Sequence, residues 1–369
     1  MAGIYIASTA PRAGKSLVTF SLGVMLQKAG LSVGYMKPVG NIPQKHEELM
    51  GDADALVIQE VLGQNVPADV LTPVMLPQNL HGLAMSASGS NNGSCLEKIC
   101  AAYELISAGK DITLVAGTGA FPSAGRFAEA DGRTLVRELD LRVLFIERYT
   151  GLINFDELLY LKDALGDTQI GMILNDVPER EMRDVYKVLK PWLEGHGITV
   201  HGVLGHEPGL TAMRVSDLSY GLDGRIVAGN AHAARMVNGF LIGTMQVDNF
   251  MMHLRRREGC AVIVGGDRSD LQLAALHSHS PCVVLTGNIT PSELIRSKAE
   301  EMGVTLIMVR EDTYAVARSM SRILRSKKLR DLAQIRLAVS LAEKSLGLGS
   351  ILQAAEVLKP GPAAEDSTM

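Results

Sequence analysis

Short apolar runs alternate with longer stretches of helical spacing along the first half of the chain. Ile4–Ala7, Ser32–Tyr35, Ile112–Val115, Val143–Ile146 and Gly171–Leu174 are continuous and rich in β-branched residues, which reads as buried strands. Between them, 15–28, 52–62 and 95–108 place apolar residues at helical intervals; in the second of these they are Ala55, Ile58, Val61 and Leu62. Strands separated by helices imply βαβ units and a mainly parallel sheet, with Val203-Leu204 as its last strand. Residues 208–229 carry scattered glycines and are expected to be a linker. A second block repeats the alternation: strands at 240–245, 261–264, 283–286 and 305–309, and helices at 250–257, 270–277 and 291–302. Two further helices are expected at 314–325 and 329–345. The fold class is therefore α/β, a parallel-sheet domain over 1–210, a smaller α/β domain over 220–330 and a C-terminal helical segment at 331–346. Residues 347–369, with Pro360, Pro362 and Glu365, are expected to be a flexible tail.

Composition narrows the picture. Apolar residues make up 47% of the 369 positions and aromatics only 4%, so the core must be aliphatic. The net charge of −4 argues against a chain built to grip nucleic acid. No run reaches the roughly 18 apolar residues of a membrane span, and no basic leader precedes Ile4, so a cytoplasmic protein is expected. Cys95, Cys100, Cys260 and Cys282 form no C-x-x-C pair and read as buried free thiols. His277 and His279 lack partners spaced for zinc, and Arg255-Arg256-Arg257 reads as a solvated helix end.

The sharpest chemical signal is Ser8-Thr9-Ala10-Pro11-Arg12-Ala13-Gly14-Lys15-Ser16-Leu17, which follows a strand and opens a helix. That is the setting of a phosphate-binding loop: backbone N–H groups and the positive helix end hold phosphate, Lys15 reaches the outer phosphates and Ser16 offers a hydroxyl to Mg²⁺. Thr9 stands where the common motif has glycine. Asp52 and Asp54 read either as helix-capping and first-turn acids or as cation contacts. Lys37 and Asn175 each end a strand on the side where open α/β sheets bind ligands.

The residues from Ser8 to Ser16, with Tyr35-Met36-Lys37-Pro38-Val39, Asp52-Ala53-Asp54-Ala55 and Leu174-Asn175-Asp176-Val177-Pro178, resemble dethiobiotin synthetase in order and spacing. The resemblance implies ATP phosphates on Lys15, charge stabilisation by Lys37, Mg²⁺ near Ser16 and Asp54, and adenine at Asn175. It breaks at Val115-Ala116-Gly117, where that family has an acidic Mg²⁺ ligand, and at Gly40-Asn41-Ile42-Pro43 on the substrate side. Dethiobiotin synthesis itself is therefore not expected. A closer likeness is to the degenerate form of this domain at the N-terminus of bacterial phosphate acetyltransferases. The run Val264-Gly265-Gly266-Asp267-Arg268-Ser269-Asp270 resembles the DRTGG domain that follows it there, and a free-standing regulatory half without the acetyltransferase domain is expected. The resemblance implies a protein regulated by, or assembled around, an adenine nucleotide. Gly266, Asp267 and Arg268 would be a ligand or dimer contact, the chain a homo-oligomer, and an enzyme of acetate metabolism its partner. The alternative is an ATP-dependent ligase or carboxylase acting on an unknown small substrate.

Overall fold

A computed structural model describes residues 2–46, 48–76, 94–151, 155–326 and 332–357. The chain forms two compact units, one of residues 1–206 together with 330–369, the other of 207–329.

The first unit is built on six parallel strands: β1 (Ala2–Ala7), β2 (Val33–Met36), β3 (Ile112–Ala116), β4 (Arg142–Arg148), β5 (Gln169–Val177) and β6 (Val200–Gly205). They lie side by side in the order β6-β5-β4-β1-β3-β2. Strand order therefore switches direction at β1, with β3 on one flank and β4 on the other. The crevice at the carboxyl end of such a switch is where open α/β sheets take ligands. Alternate strand residues serve the two faces. Tyr5, Val115, Phe145 and Leu174 share a cluster with Ile99 and Ile106 of α3 (Cys95–Ser107), Leu135 of α4 (Gly132–Glu138) and Leu158 of α5 (Phe155–Leu165). Phe121 links Tyr5 and Phe145 edge-to-face, with ring centroids 5.7 and 5.5 Å away. The other face is covered by α1 (Lys15–Lys28), which touches α2 (Ala53–Val61).

The second unit has a five-stranded sheet of β7 (Arg225–Ala228), β8 (Gly239–Gly243), β9 (Cys260–Gly265), β10 (Cys282–Thr286) and β11 (Thr305–Met308), in the order β7-β11-β10-β9-β8, with β7 alone antiparallel among them. One face packs against α7 (Val247–Leu254), α8 (Ser269–His277) and α9 (Glu293–Met302), the other against α6 (Val215–Gly221) and α10 (Thr313–Ser326).

Two expectations need correction. Residues 208–229 are not a linker: α6 buries Val215 and Leu218, and β7 pairs with β11, so the stretch belongs to the second unit's core. The expected C-terminal helical segment is present as α11 (Leu332–Ser345); it lies along α1, with Lys28 and Glu343 paired at 2.5 Å. Part of the expected tail is a helix, α12 (Leu348–Ala354), which buries Ile351 and Leu352; 358–369 lies outside the described residues. Among the cysteines, all free, Cys260 and Cys282 are buried as expected, whereas Cys95 and Cys100 are only half-buried.

Candidate nucleotide site

The loop between β1 and α1 has the geometry of an anion cradle. Gly14 caps α1 at φ +105°, a left-handed conformation that an L side chain resists. A Cβ there would also run into the amide of Asn175. No side chain caps α1 and no acid stands in its first turn, unlike α2 and α3, which Asp52 and Ser94 cap. The first N–H groups of α1 are thus left for a ligand. Ser16 and Leu17 lie half-buried in that first turn, and Arg12 is exposed at φ +63°.

Lys15 folds back across the loop. Its Nζ donates to Ser8 Oγ and to the Gly119 carbonyl, both at 2.6 Å. Ser8, fully buried, passes its own hydroxyl hydrogen to Ala10 O at 2.6 Å. Burial pushes the Lys15 ammonium down to about 8, Glu147 opposing the shift and Lys37 adding to it. Asn175, at the carboxyl end of β5, donates to the Ala13 carbonyl at 2.8 Å and so braces the loop. Its Oδ1 makes no hydrogen bond among the described residues.

Lys37 follows β2 and is buried against Asp52, with Nζ to Oδ1 at 2.8 Å and Asp54 Oδ2 at 3.9 Å. Asp52 also accepts from the N–H groups of Asn41, Ile42, Asp54 and Ala55, which serve the turn into α2. Burial alone would raise its carboxyl; Lys37 and these N–H donors outweigh that and hold it below the usual range. Of the two aspartates, Asp52 carries the turn and the helix cap, and Asp54, half-buried, lies 3.9 Å from Lys37 Nζ. The Tyr35 hydroxyl, buried near both, has no hydrogen-bond partner among the described residues.

Two residues were not legible as site residues. Gly119 supplies a carbonyl to Lys15 from the turn after β3. Glu147, at the carboxyl end of β4, accepts from Thr9 N at 2.6 Å and Thr9 Oγ1 at 2.7 Å. Burial raises its carboxyl above the usual range, against the pull of Thr9 and Lys15. Its signal is a lone acid closing the apolar run Val143-Leu144-Phe145-Ile146. Ala116, where the acidic ligand is expected, presents only a buried methyl group.

In the second unit, Gly266 donates to Thr286 O at 3.0 Å, and a Cβ there would strike Ile289. Buried Gln272 holds the turn by donating to Gly265 O and Gly266 O. Asp267 is exposed, and Arg268 forms a two-pronged pair with Asp270 at 3.0 and 2.8 Å. No group of three or more metal-ligating side chains occurs among the described residues, and no helix among them is long and apolar enough to cross a membrane.

A P-loop domain followed by a DRTGG domain is the class that this arrangement defines. Residues 2–214 match the AAA domain family, to which the chain belongs, and residues 217–323 match the DRTGG domain. The ATP-dependent dethiobiotin synthetase BioD of Methanococcus vannielii is 32% identical over 181 residues, which cover 48% of this chain and 80% of that one. The phosphate acetyltransferase of Nitratidesulfovibrio vulgaris is 22% identical over 338 residues, 87% of this chain and 47% of that one. The chain thus spans about half the length of the curated phosphate acetyltransferases it matches. Among solved structures, the CBS and DRTGG domains of a Clostridium perfringens pyrophosphatase align with 37% of this chain at 18% identity and a TM-score of 0.28.

Proposed function

We propose that the chain is an adenine-nucleotide-binding regulatory or assembly protein that holds ATP at Ser8–Ser16 and turns it over slowly. One observation carries this reading: an intact phosphate cradle, with Lys15 drawn across an uncapped helix, stands beside a methyl group at position 116. Binding needs the first; positioning of a metal as charge moves in phosphoryl transfer needs the acid that the second lacks. Ser16 and Asp54 are oxygen donors of the kind Mg²⁺ takes, and Mg²⁺ keeps several waters and phosphate oxygens of its own. The ion, when bound, neutralises phosphate charge. Asn175 keeps its Oδ1 and one N–H for an adenine edge. Gly266, Asp267 and Arg268 form the proposed contact with a ligand or with a second copy of the chain, and an enzyme of acetate metabolism is the proposed partner.

A second reading, an ATP-dependent ligase or carboxylase, is favoured by Lys37, which Asp52 holds rigidly where it would stabilise charge on a transferred phosphoryl group. Steady-state phosphate release over a Mg²⁺ titration separates the two. The parent is expected to release phosphate far below the roughly 1–10³ s⁻¹ of typical enzymes, and Ala116→Glu to sharpen the Mg²⁺ dependence. Turnover by the parent within that range, with any cell metabolite added, establishes the ligase reading instead.

A further inference from the structure

The amino-terminal end of β4 carries a second concentration of charge, one that the phosphate loop does not use. A cavity of about 570 Å³ opens there between the start of β4, the helix α4 and the end of α5. That volume lies within the range of small-molecule sites, roughly 300–1,000 Å³. Four arginines line it, Arg126, Arg133, Arg137 and Arg142, against two acids, Asp131 and Asp140. Asp131 is buried and caps α4, accepting from Thr134 N at 3.3 Å and Thr134 Oγ1 at 3.0 Å, and its Oδ2 also lies 3.6 Å from the exposed Arg126.

One of these cations stands against local preference. Arg133 stands in the first turn of α4, where the helix dipole disfavours positive charge, two residues after the N-cap acid Asp131. Arg137 follows four residues later, so two like charges neighbour each other on one helix face. Arg133 makes no ion pair among the described residues. Arg137 pairs with its sequence neighbour Glu138 and Arg142 with Glu356, whose side chain is 73% exposed, so both pairs are screened and exchangeable. Four cations gathered into one concave surface, one of them against helix preference, mark a position kept for something other than stability. The guanidinium fork matches phosphate oxygens two at a time.

We infer that this cavity is an anion site, separate from the phosphate loop, that takes a small polyanion carrying two or more phosphate groups. Arg142 begins β4 and Glu147 stands near its other end, five residues on, which separates the two sites by roughly 16 Å of strand. An occupant here therefore does not compete with nucleotide on Lys15.

The test titrates inorganic pyrophosphate into the full chain by calorimetry in a Lys15→Ala background, which disables the loop. Adding Arg133→Ala and Arg137→Ala to that background is expected to weaken the remaining binding tenfold or more. Arg256→Ala with Arg257→Ala, which removes the same charge from the second unit, is expected to leave it unchanged. The arginine substitutions relieve repulsion on an exposed face, so the variant should melt no lower than its background; Arg133→Gln with Arg137→Gln repeats the comparison at similar side-chain length if it does. A loss smaller than tenfold, an equal loss in the second-unit control, or no binding to the Lys15→Ala chain overturns the inference.

Discussion

Glu147 on the β4 flank holds Thr9, two residues past the end of β1, whereas Ala116 faces Ile6 across the other flank. The buried acid beside the phosphate loop is thus on the opposite neighbour of β1 from the strand that would carry a metal-binding acid, and it clamps Thr9, the second residue of the loop, from both its N–H and its hydroxyl. It shapes the cradle rather than filling the gap at position 116.

The clamp separates by charge and by shape. Glu147→Gln keeps an acceptor for Thr9 N–H and a donor for its hydroxyl, whereas Glu147→Ala leaves that N–H unpaired at a cost of about 1–3 kcal/mol. Denaturant unfolding should show the alanine variant destabilised by that amount and the glutamine variant by clearly less. Equal losses would mean that the carboxylate charge, not the hydrogen bonds, holds the loop.

Lys15 gives the site a pH dependence of definite sign. With its ammonium pushed down to about 8, the uncharged fraction grows as pH rises from 7 to 9, and affinity for ATP should fall over that interval. Lys15→Ala removes a charge-assisted contact worth roughly 1.5–3 kcal/mol, which is tenfold or more at pH 7, and should flatten the profile. Calorimetry at pH 7, 8 and 9 checks both; parallel profiles for parent and variant would assign the titration to another group.

Asp52 has both a pairing and a capping role. Asp52→Ala strips Lys37 of its buried counter-ion and α2 of its cap, and should cost roughly 3–5 kcal/mol in urea unfolding. Asp52→Asn keeps an acceptor for the α2 N–H groups and should fall short of that loss.

His201 on β6 is buried, with Nε2 2.8 Å from the Ile170 carbonyl and Nδ1 2.7 Å from Ser350 Oγ on α12. The carbonyl requires a donor, so Nε2 carries the hydrogen and Nδ1 accepts from Ser350. Burial lowers the ring's tendency to protonate, outweighing the Ile170 carbonyl. The unfolded chain then binds the proton more readily, and stability should fall as pH drops below about 6.5. Melting curves between pH 5 and 7 should show a shallower loss for His201→Gln, which retains a donor and an acceptor; an unchanged slope would rule out His201 as its source.

Legibility followed burial. Helix 15–28 and strands such as Cys282–Thr286 are continuous or periodic apolar segments whose type their own residues decide. The hairpin of Pro43–His46 with Leu49–Asp52 has a fully exposed first strand and no apolar alternation to announce it. The stretch 208–229 reads as a linker because of its scattered glycines, yet Val215 and Leu218 fill one face of a sheet formed far along the chain. Lys15, Gly14 and Ser16 declare themselves through local motif geometry. Glu147 does not, because its meaning comes from hydrogen bonds with Thr9, 138 residues away along the chain.

The return of α11 and α12 to the first unit means that the DRTGG region is inserted into the first unit rather than appended after it. Gly202 on β6 bridges to Leu346, and Gly347 N donates to His201 O at 2.8 Å, so the last cover of that sheet is made by residues the ribosome adds only after the whole second unit. While the chain is being synthesised, β6 and α1 wait with apolar surface uncovered. Early collapse of residues 207–329 shortens the effective loop that the final helices must close, lowering the entropy lost when they dock. The second unit thereby becomes a folding aid to the first, and substitutions in its core are expected to delay completion of a nucleotide site they never touch.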